Sequence, residues 1–223
     1  MYLGAGNQSE EAKVKKKIWS YGGVAASVVL IVFGIATIVI AANGRSEVRN
    51  DIKREQVVGT PDMTPKAIKA EAAKSGLKNV DLPTCSVAGK AINSGARAKC
   101  FASYMRIHVL EATGGKTYAE LPRYATADGK GTNDENAALK KDGKAVNNPL
   151  RDLWVTEIAV TTALNTSYFG EQVAMFSLVM GIALLLSGIG FLVLTARLLL
   201  PAPSREEARA EAHAPTPTPA TSH

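Results

Sequence analysis

The chain has 223 residues, with 26 Lys and Arg against 20 Asp and Glu, a formal net charge of +6, two cysteines and three histidines. Its mean hydropathy near zero averages two long uncharged apolar runs with very polar segments, a segregation that excludes an ordinary soluble single-core domain. The basic balance outside those runs is slight and no nucleic-acid-binding motif accompanies it.

Residues 1–17 read as a short polar tail, helical from Glu10 onward. Residues 18–42, "IWSYGGVAASVVLIVFGIATIVIAA", hold no charge. At 1.5 Å per residue they extend about 37 Å, enough to cross a hydrocarbon core about 30 Å thick. Val39-Ile40-Ala41 is a passable cleavage site. A signal peptide's apolar region is much shorter, however, so an uncleaved anchor is the preferred reading. Trp19 and Tyr21 stand where amphipathic rings favour a membrane interface. Gly22 with Ala26, and Gly23 with Ser27, give the small-xxx-small spacing that lets helices approach closely.

A segment of more than a hundred residues follows, 43–172. It opens on a charged stretch, 45–55. In "GTPDMTPKAIKAEAAKSGL" Thr64 is an N-cap, Pro65 the first helical residue and Gly76 a stop, which predicts a helix over 65–75. "LPTCSVAGKAI" contains Pro83 and Gly89 and reads as a loop or small hairpin. Ser94 caps a further helix with an apolar stripe of Ala98, Phe101, Met105 and Val109. Residues 124–148, rich in Gly, Asp, Asn and Lys, read as an exposed loop with little capacity to bury surface.

Pro149 opens a helical pattern with Leu150, Trp154, Ile158, Thr161, Asn165 and Tyr168 on one stripe. It runs into the second apolar stretch, residues 173–196, "VAMFSLVMGIALLLSGIGFLVLTA". One helix over about 150–199 is expected, standing about 30 Å clear of the membrane before it enters. Ala183 and Ser187, with Gly188 and Gly190 nearby, repeat the small-residue theme. Pro201 and Pro203 stop the helix, and residues 197–223 are expected to be a disordered cytoplasmic tail.

Lys13, Lys15, Lys16 and Lys17 precede the first run, and Arg197, Arg205 and Arg209 follow the second. Positive flanks of short tails stay in the cytoplasm, whereas charges in a long loop count little. Both termini are therefore expected inside, in a plasma membrane, with 43–172 outside. Cys85 and Cys100 both fall in that segment, where an oxidising compartment favours a disulfide.

"GTPDMTP", "RAKCFASYMRIHVLEATGGKTYAEL", "YATADGKGTND" and "NPLRDLWVTEIAVTTALNTSYFGEQVAMF" occur in this order within 57–196. The chain thereby resembles a family of actinobacterial two-span membrane proteins whose motifs carry no known mechanism. Some members bear the automatic name aromatic-ring-opening dioxygenase. That name implies an iron held by two His and a carboxylate. Of the three histidines, His213 and His223 lie in the tail, which leaves His108 alone outside. The residues therefore do not support the name.

His108 and Glu111, at i,i+3, could share a metal, but two ligands define no site. The stretch Gly114, Gly115, Lys116, Thr117, Tyr118 looks like the end of a phosphate-binding loop. Such a loop needs Gly at 110, where Leu110 stands, a strand before it and a long helix after it. The pattern is better read as a helix stop at Gly114 and a restart at Thr117, with Glu120 completing a capping box. Arg106, Lys116, Tyr104 and Tyr118 could together meet an anionic lipid head group or polymer. Neither apolar run contains an ionisable residue, which disfavours a transporter.

The expected fold is an α-helical membrane protein: two transmembrane helices around a mainly helical, disulfide-stapled extracytoplasmic domain. The expected function is that of a non-enzymatic interaction or scaffold protein of the cell envelope, the alternative an envelope sensor or lipid-binding module, and a cryptic enzyme third. No catalytic, cofactor or metal residues are assigned. The expected partners are the lipid bilayer and a second copy or another membrane protein, not nucleic acid. Residues 114–118 form the candidate interaction bend.

Overall fold

The computed structural model describes residues 5–199. The proposed tail after Leu199, with Pro201, Pro203, His213 and His223, lies outside the described residues, as do the side chains of Lys13 and Lys15 to Lys17. In chain order the elements are α1 (Ala5–Arg54), α2 (Pro65–Lys74), α3 (Gly95–Ala112), β1 (Lys140–Lys141), β2 (Lys144–Ala145) and α4 (Pro149–Leu199). The described residues fall into two compact units: one of residues 5–36 and 180–199, the other of residues 37–179.

In the first unit α1 and α4 pack through small residues. A Cβ on Gly34 would fall 2.7 Å from the Leu185 amide nitrogen and 2.9 Å from the Gly181 carbonyl. One on Gly188 would fall 2.9 Å from the Ile31 nitrogen and 3.0 Å from the Ser27 carbonyl, and one on Gly23 would meet Thr195. The seam is thus Gly23, Ser27 and Gly34 against Gly181, Gly188 and Thr195. Ser27 to Gly34, and Gly181 to Gly188 to Thr195, repeat every seven residues, the spacing that keeps a seam facing its partner helix.

This corrects part of the sequence reading. A Cβ on Gly22 or on Gly190 would meet nothing within 4 Å beyond its own helix, and Ala26, Ala183 and Ser187 are exposed. A spacing of four locates small pairs, but it does not say which face is turned inward. Gly188→Val should lower the thermal midpoint in detergent, with a cost of about 1–3 kcal/mol because backbone atoms cannot give way. Gly190→Val should leave the midpoint unchanged, and the pair of measurements checks the seam.

In the second unit α1 continues as helix through the charged stretch that the sequence suggested was its exit. Ile52 is buried there, and Arg45 and Arg49 reach Glu171. Gln56, at φ 51°, then turns the chain away. Thr64 caps α2 by accepting from the Ala67 amide, and Ser94 caps α3 by accepting from the Arg97 amide.

The core gathers Met63, Ile68, Val87, Ile92, Tyr104, Ile107, Leu110 and Trp154, among others. On α3 the predicted stripe holds only at Ala98 and Val109. Phe101 and Met105 are half-buried, and Cys100, Tyr104, Ile107 and Leu110 make a second buried face. A helix covered on more than one side has no single stripe.

Residues 57–59 run against 88–92 through isolated bridges rather than strands. Gly59 is required there, because its Cβ would fall 2.0 Å from the Val87 carbonyl oxygen. Cys85 and Cys100 are joined by a disulfide that fastens this loop to α3. The loop it closes spans 15 residues, so Cys85→Ser with Cys100→Ser should cost about 3 kcal/mol in a denaturant titration.

The segment 124–148 is more ordered than its composition suggests. Asp142 and Gly143, both at positive φ, turn the chain between β1 and β2, which pair antiparallel. Tyr124 bridges both Thr132 and Asn147, and Ala138 and Asn148 are buried. Asn148 caps α4, its side-chain Oδ1 accepting from the Leu150 amide while its Nδ2 donates to the Pro122 carbonyl.

Candidate functional site

The turn before α2 sets Asp62 beside the N-cap, Glu71 lies further along α2, and His108 and Glu111 lie near the end of α3. Packing of α2 on α3 brings these four together. His108 Nε2 is 2.9 Å from Asp62 Oδ2 and 4.0 Å from Glu71 Oε2. The shorter contact lies off the hydrogen-bond direction: Nε2 is sealed from solvent and makes no hydrogen bond, and the same holds for Glu111 Oε1.

The Thr60 hydroxyl, with His108 contributing, holds the Asp62 carboxyl below its ordinary range. Burial pushes Glu111 up, and the neighbouring Glu71 carboxylate adds to it. The sequence marked His108 and Glu111 only as a pair too small to define a site, and did not mark Asp62 or Glu71, which with His108 form the cluster. The i,i+3 pair was visible, whereas the α2–α3 contact depends on tertiary packing.

At 114–118 the helix stop forms as the sequence suggested, but Thr117 opens only a hydrogen-bonded turn and its hydroxyl donates to Glu120, so the capping box is half made. Gly114 and Gly115 take positive φ, at 62° and 79°. Their amides donate to the Glu111 and Leu110 carbonyls, closing α3 in a Schellman motif. The Thr117 amide and hydroxyl both donate to the Glu120 carboxylate, at 2.7 Å each, and hold that carboxyl below its ordinary range. The Lys116 carbonyl accepts from the Thr113 hydroxyl at 2.7 Å and from Trp154 Nε1 at 3.0 Å. The bend's backbone is therefore an anchor point for α4.

Of the four residues considered for an anionic ligand, three have other partners. Tyr104 is fully buried and donates its hydroxyl to the Cys85 carbonyl. Arg106 lies 5.0 Å from the Trp154 ring centroid. Tyr118 lies 3.9 Å beneath the Arg151 guanidinium. Two neighbouring polar clefts share Arg123 and Arg151 instead, one of them about 340 Å³ with Tyr118 and Tyr124 in its wall.

Along α4 the inward line runs through Trp154, Glu157, Thr161, Leu164, Tyr168 and Glu171, while Ile158 and Asn165 face outward. Hydropathy assigns glutamates to the outside, which is why the predicted stripe drifts. Burial raises Glu157, and Arg106 at 4.0 Å offsets this only in part.

Glu171 is paired more fully. It accepts from Arg45 at 3.1 Å, from Arg49 Nε at 2.7 Å and from the Gly95 amide, at the start of α3, at 2.6 Å. Burial works against its charge, but these donors outweigh it and hold the carboxyl below its ordinary range.

No protein-family model, curated protein or solved structure matches this chain. The described residues define a mainly helical protein with one disulfide and two helices long and apolar enough to cross a membrane.

Proposed function

We propose that this chain is a membrane-anchored interaction or scaffold protein of the cell envelope, non-enzymatic, with residues 43–172 displayed outside a plasma membrane and both termini in the cytoplasm. The observation that carries the reading is the bareness of the two apolar helices. Only 17% of the most apolar window of each is buried within the chain. Large side chains such as Val32, Phe33, Ile40, Phe176, Leu186 and Leu194 stand half or more exposed. A soluble protein does not leave such a surface in water, whereas lipid accepts it.

The disulfide supports an oxidising compartment for the intervening segment. The lysines before α1's apolar run support a cytoplasmic start. Small-residue seams serve helix association in lipid. Resemblance to the actinobacterial two-span family accords with the same arrangement.

Crosslinking in intact cells, followed by mild-detergent purification, should recover a stable homo-oligomer or a defined membrane-protein partner. A clean monomer without crosslinks would refute the scaffold reading. A second reading, an envelope sensor or lipid-binding module, draws on the clefts that share Arg123 and Arg151. Lipid mass spectrometry should then find an anionic phospholipid retained by the wild type and lost from Arg123→Ala with Arg151→Ala.

A further inference from the structure

We propose that Asp62, Glu71 and His108 bind a divalent metal ion of the class that accepts imidazole beside carboxylate, Zn²⁺ foremost. One ligand atom from each lies within 4.8 Å of the others. The three come from separate places: the turn before α2, α2 itself and α3.

The contact between His108 and Asp62 is the first argument. An imidazole nitrogen and a carboxylate oxygen 2.9 Å apart, yet not aligned as a hydrogen bond, have the relation of two donors aimed at one point. Ligands about 2.0–2.1 Å from a zinc ion lie about 2.9 Å apart at a right angle and about 3.4 Å apart at the tetrahedral angle. Glu71 Oε2, at 4.0 Å from Nε2, needs only a side-chain rotation to join them. It is about two-fifths exposed and free to make one.

The second argument is unmet polarity. His108 Nε2 and Glu111 Oε1 are both shut off from water without a hydrogen bond, and buried polar atoms in folded proteins are rarely left so. A cation at Nε2 satisfies the first. The third is charge. Two carboxylates, Asp62 and Glu71, face one imidazole nitrogen at 2.9 and 4.0 Å. A simple ion pair between Asp62 and His108 leaves Glu71 at 4.0 Å from the same imidazole. A dication offsets both carboxylates.

The imidazole selects the ion class, because Mg²⁺ and Ca²⁺ take oxygen ligands. Three protein ligands with a partly exposed imidazole leave a coordination position for water or for a donor group on a partner.

Isothermal titration of the full chain in detergent with ZnCl₂ tests the proposal. The background carries His213→Ala and His223→Ala, so that the tail imidazoles contribute nothing. One Zn²⁺ per chain should bind and be removed by EDTA. His108→Gln, Asp62→Asn and Glu71→Gln should each weaken binding at least about tenfold, whereas Glu135→Gln, an exposed carboxylate elsewhere, should not. Circular dichroism checks that each variant is folded. Should Asp62→Asn fail to fold, Glu71→Gln decides the matter, because its side chain is outside the core. Absence of saturable Zn²⁺ binding, binding unchanged by these variants, or saturable Ca²⁺ binding without Zn²⁺ would overturn the proposal.

Discussion

Glu171→Ala should lower the unfolding free energy by about 3 kcal/mol, the lower end of what removing one partner from a buried ion pair costs. The substitution takes away the shared acceptor of Arg45, Arg49 and the Gly95 amide. Two guanidiniums one helical turn apart on α1 then repel each other. Their side chains are 35% and 39% exposed, so water relieves part of the loss and the upper end of the range does not apply. The first amide of α3 also loses its acceptor. Glu171→Gln, which keeps an oxygen near that amide, should cost less.

The same residue gives the unit an acid limit. Its carboxyl is held below the ordinary glutamate value of 4.5. The folded state therefore binds this proton less readily than the unfolded state. The stabilisation is fully present above pH 4.5 and drains away as the pH falls toward the depressed folded value. Urea titrations at pH 7 and pH 3.5 should show wild type losing more stability on acidification than Glu171→Gln.

Trp154→Ala should be as damaging, at about 3–5 kcal/mol. The indole is 1% exposed and belongs to the same core as Tyr104, Ile107 and Leu110. Its Nε1 also donates to the Lys116 carbonyl, and Arg106 lies over its ring. Trp154→Phe fills much of the volume but cannot donate, so it should cost less, by a margin that measures the bond to the bend. Chemical denaturation followed by circular dichroism measures both. A change below about 1 kcal/mol for Trp154→Ala would mean that α4 is not anchored where the structure puts it.

Elements fixed by local chemistry were legible in the sequence. Thr64 with Pro65 and Ser94 each start a helix, Gly114 stops one, and Thr117 opens a single hydrogen-bonded turn, all through contacts within a few residues. Cys85 and Cys100 form the predicted disulfide. The hairpin turn at Asp142-Gly143 was equally local and was missed, because the surrounding Gly, Asn and Lys gave the whole segment a loop's composition. Nor did Asn148 stand out as a cap before Pro149.

What could not be read was the inward face of each long helix. Glu171 is buried because Arg45 and Arg49 on α1 meet it, Glu157 is buried with Arg106 only at 4.0 Å, and hydropathy has no knowledge of those partners. The small-residue seam shows the same limit: residues spaced by four marked the right helices, but the spacing of seven selected Gly34, Gly181 and Thr195. The Asp62, Glu71 and His108 cluster is wholly a product of α2 meeting α3.

The central claim is that the two apolar helices span a membrane and hold residues 43–172 on its outer side. Asn133 is exposed in that segment, and both native cysteines are consumed by the disulfide. Asn133→Cys is therefore a single reporter thiol. A membrane-impermeant maleimide should label it in intact cells, and the labelled chain should stay with the membrane pellet after alkaline carbonate. Labelling only after permeabilisation, or release of the chain into the carbonate supernatant, would contradict the account.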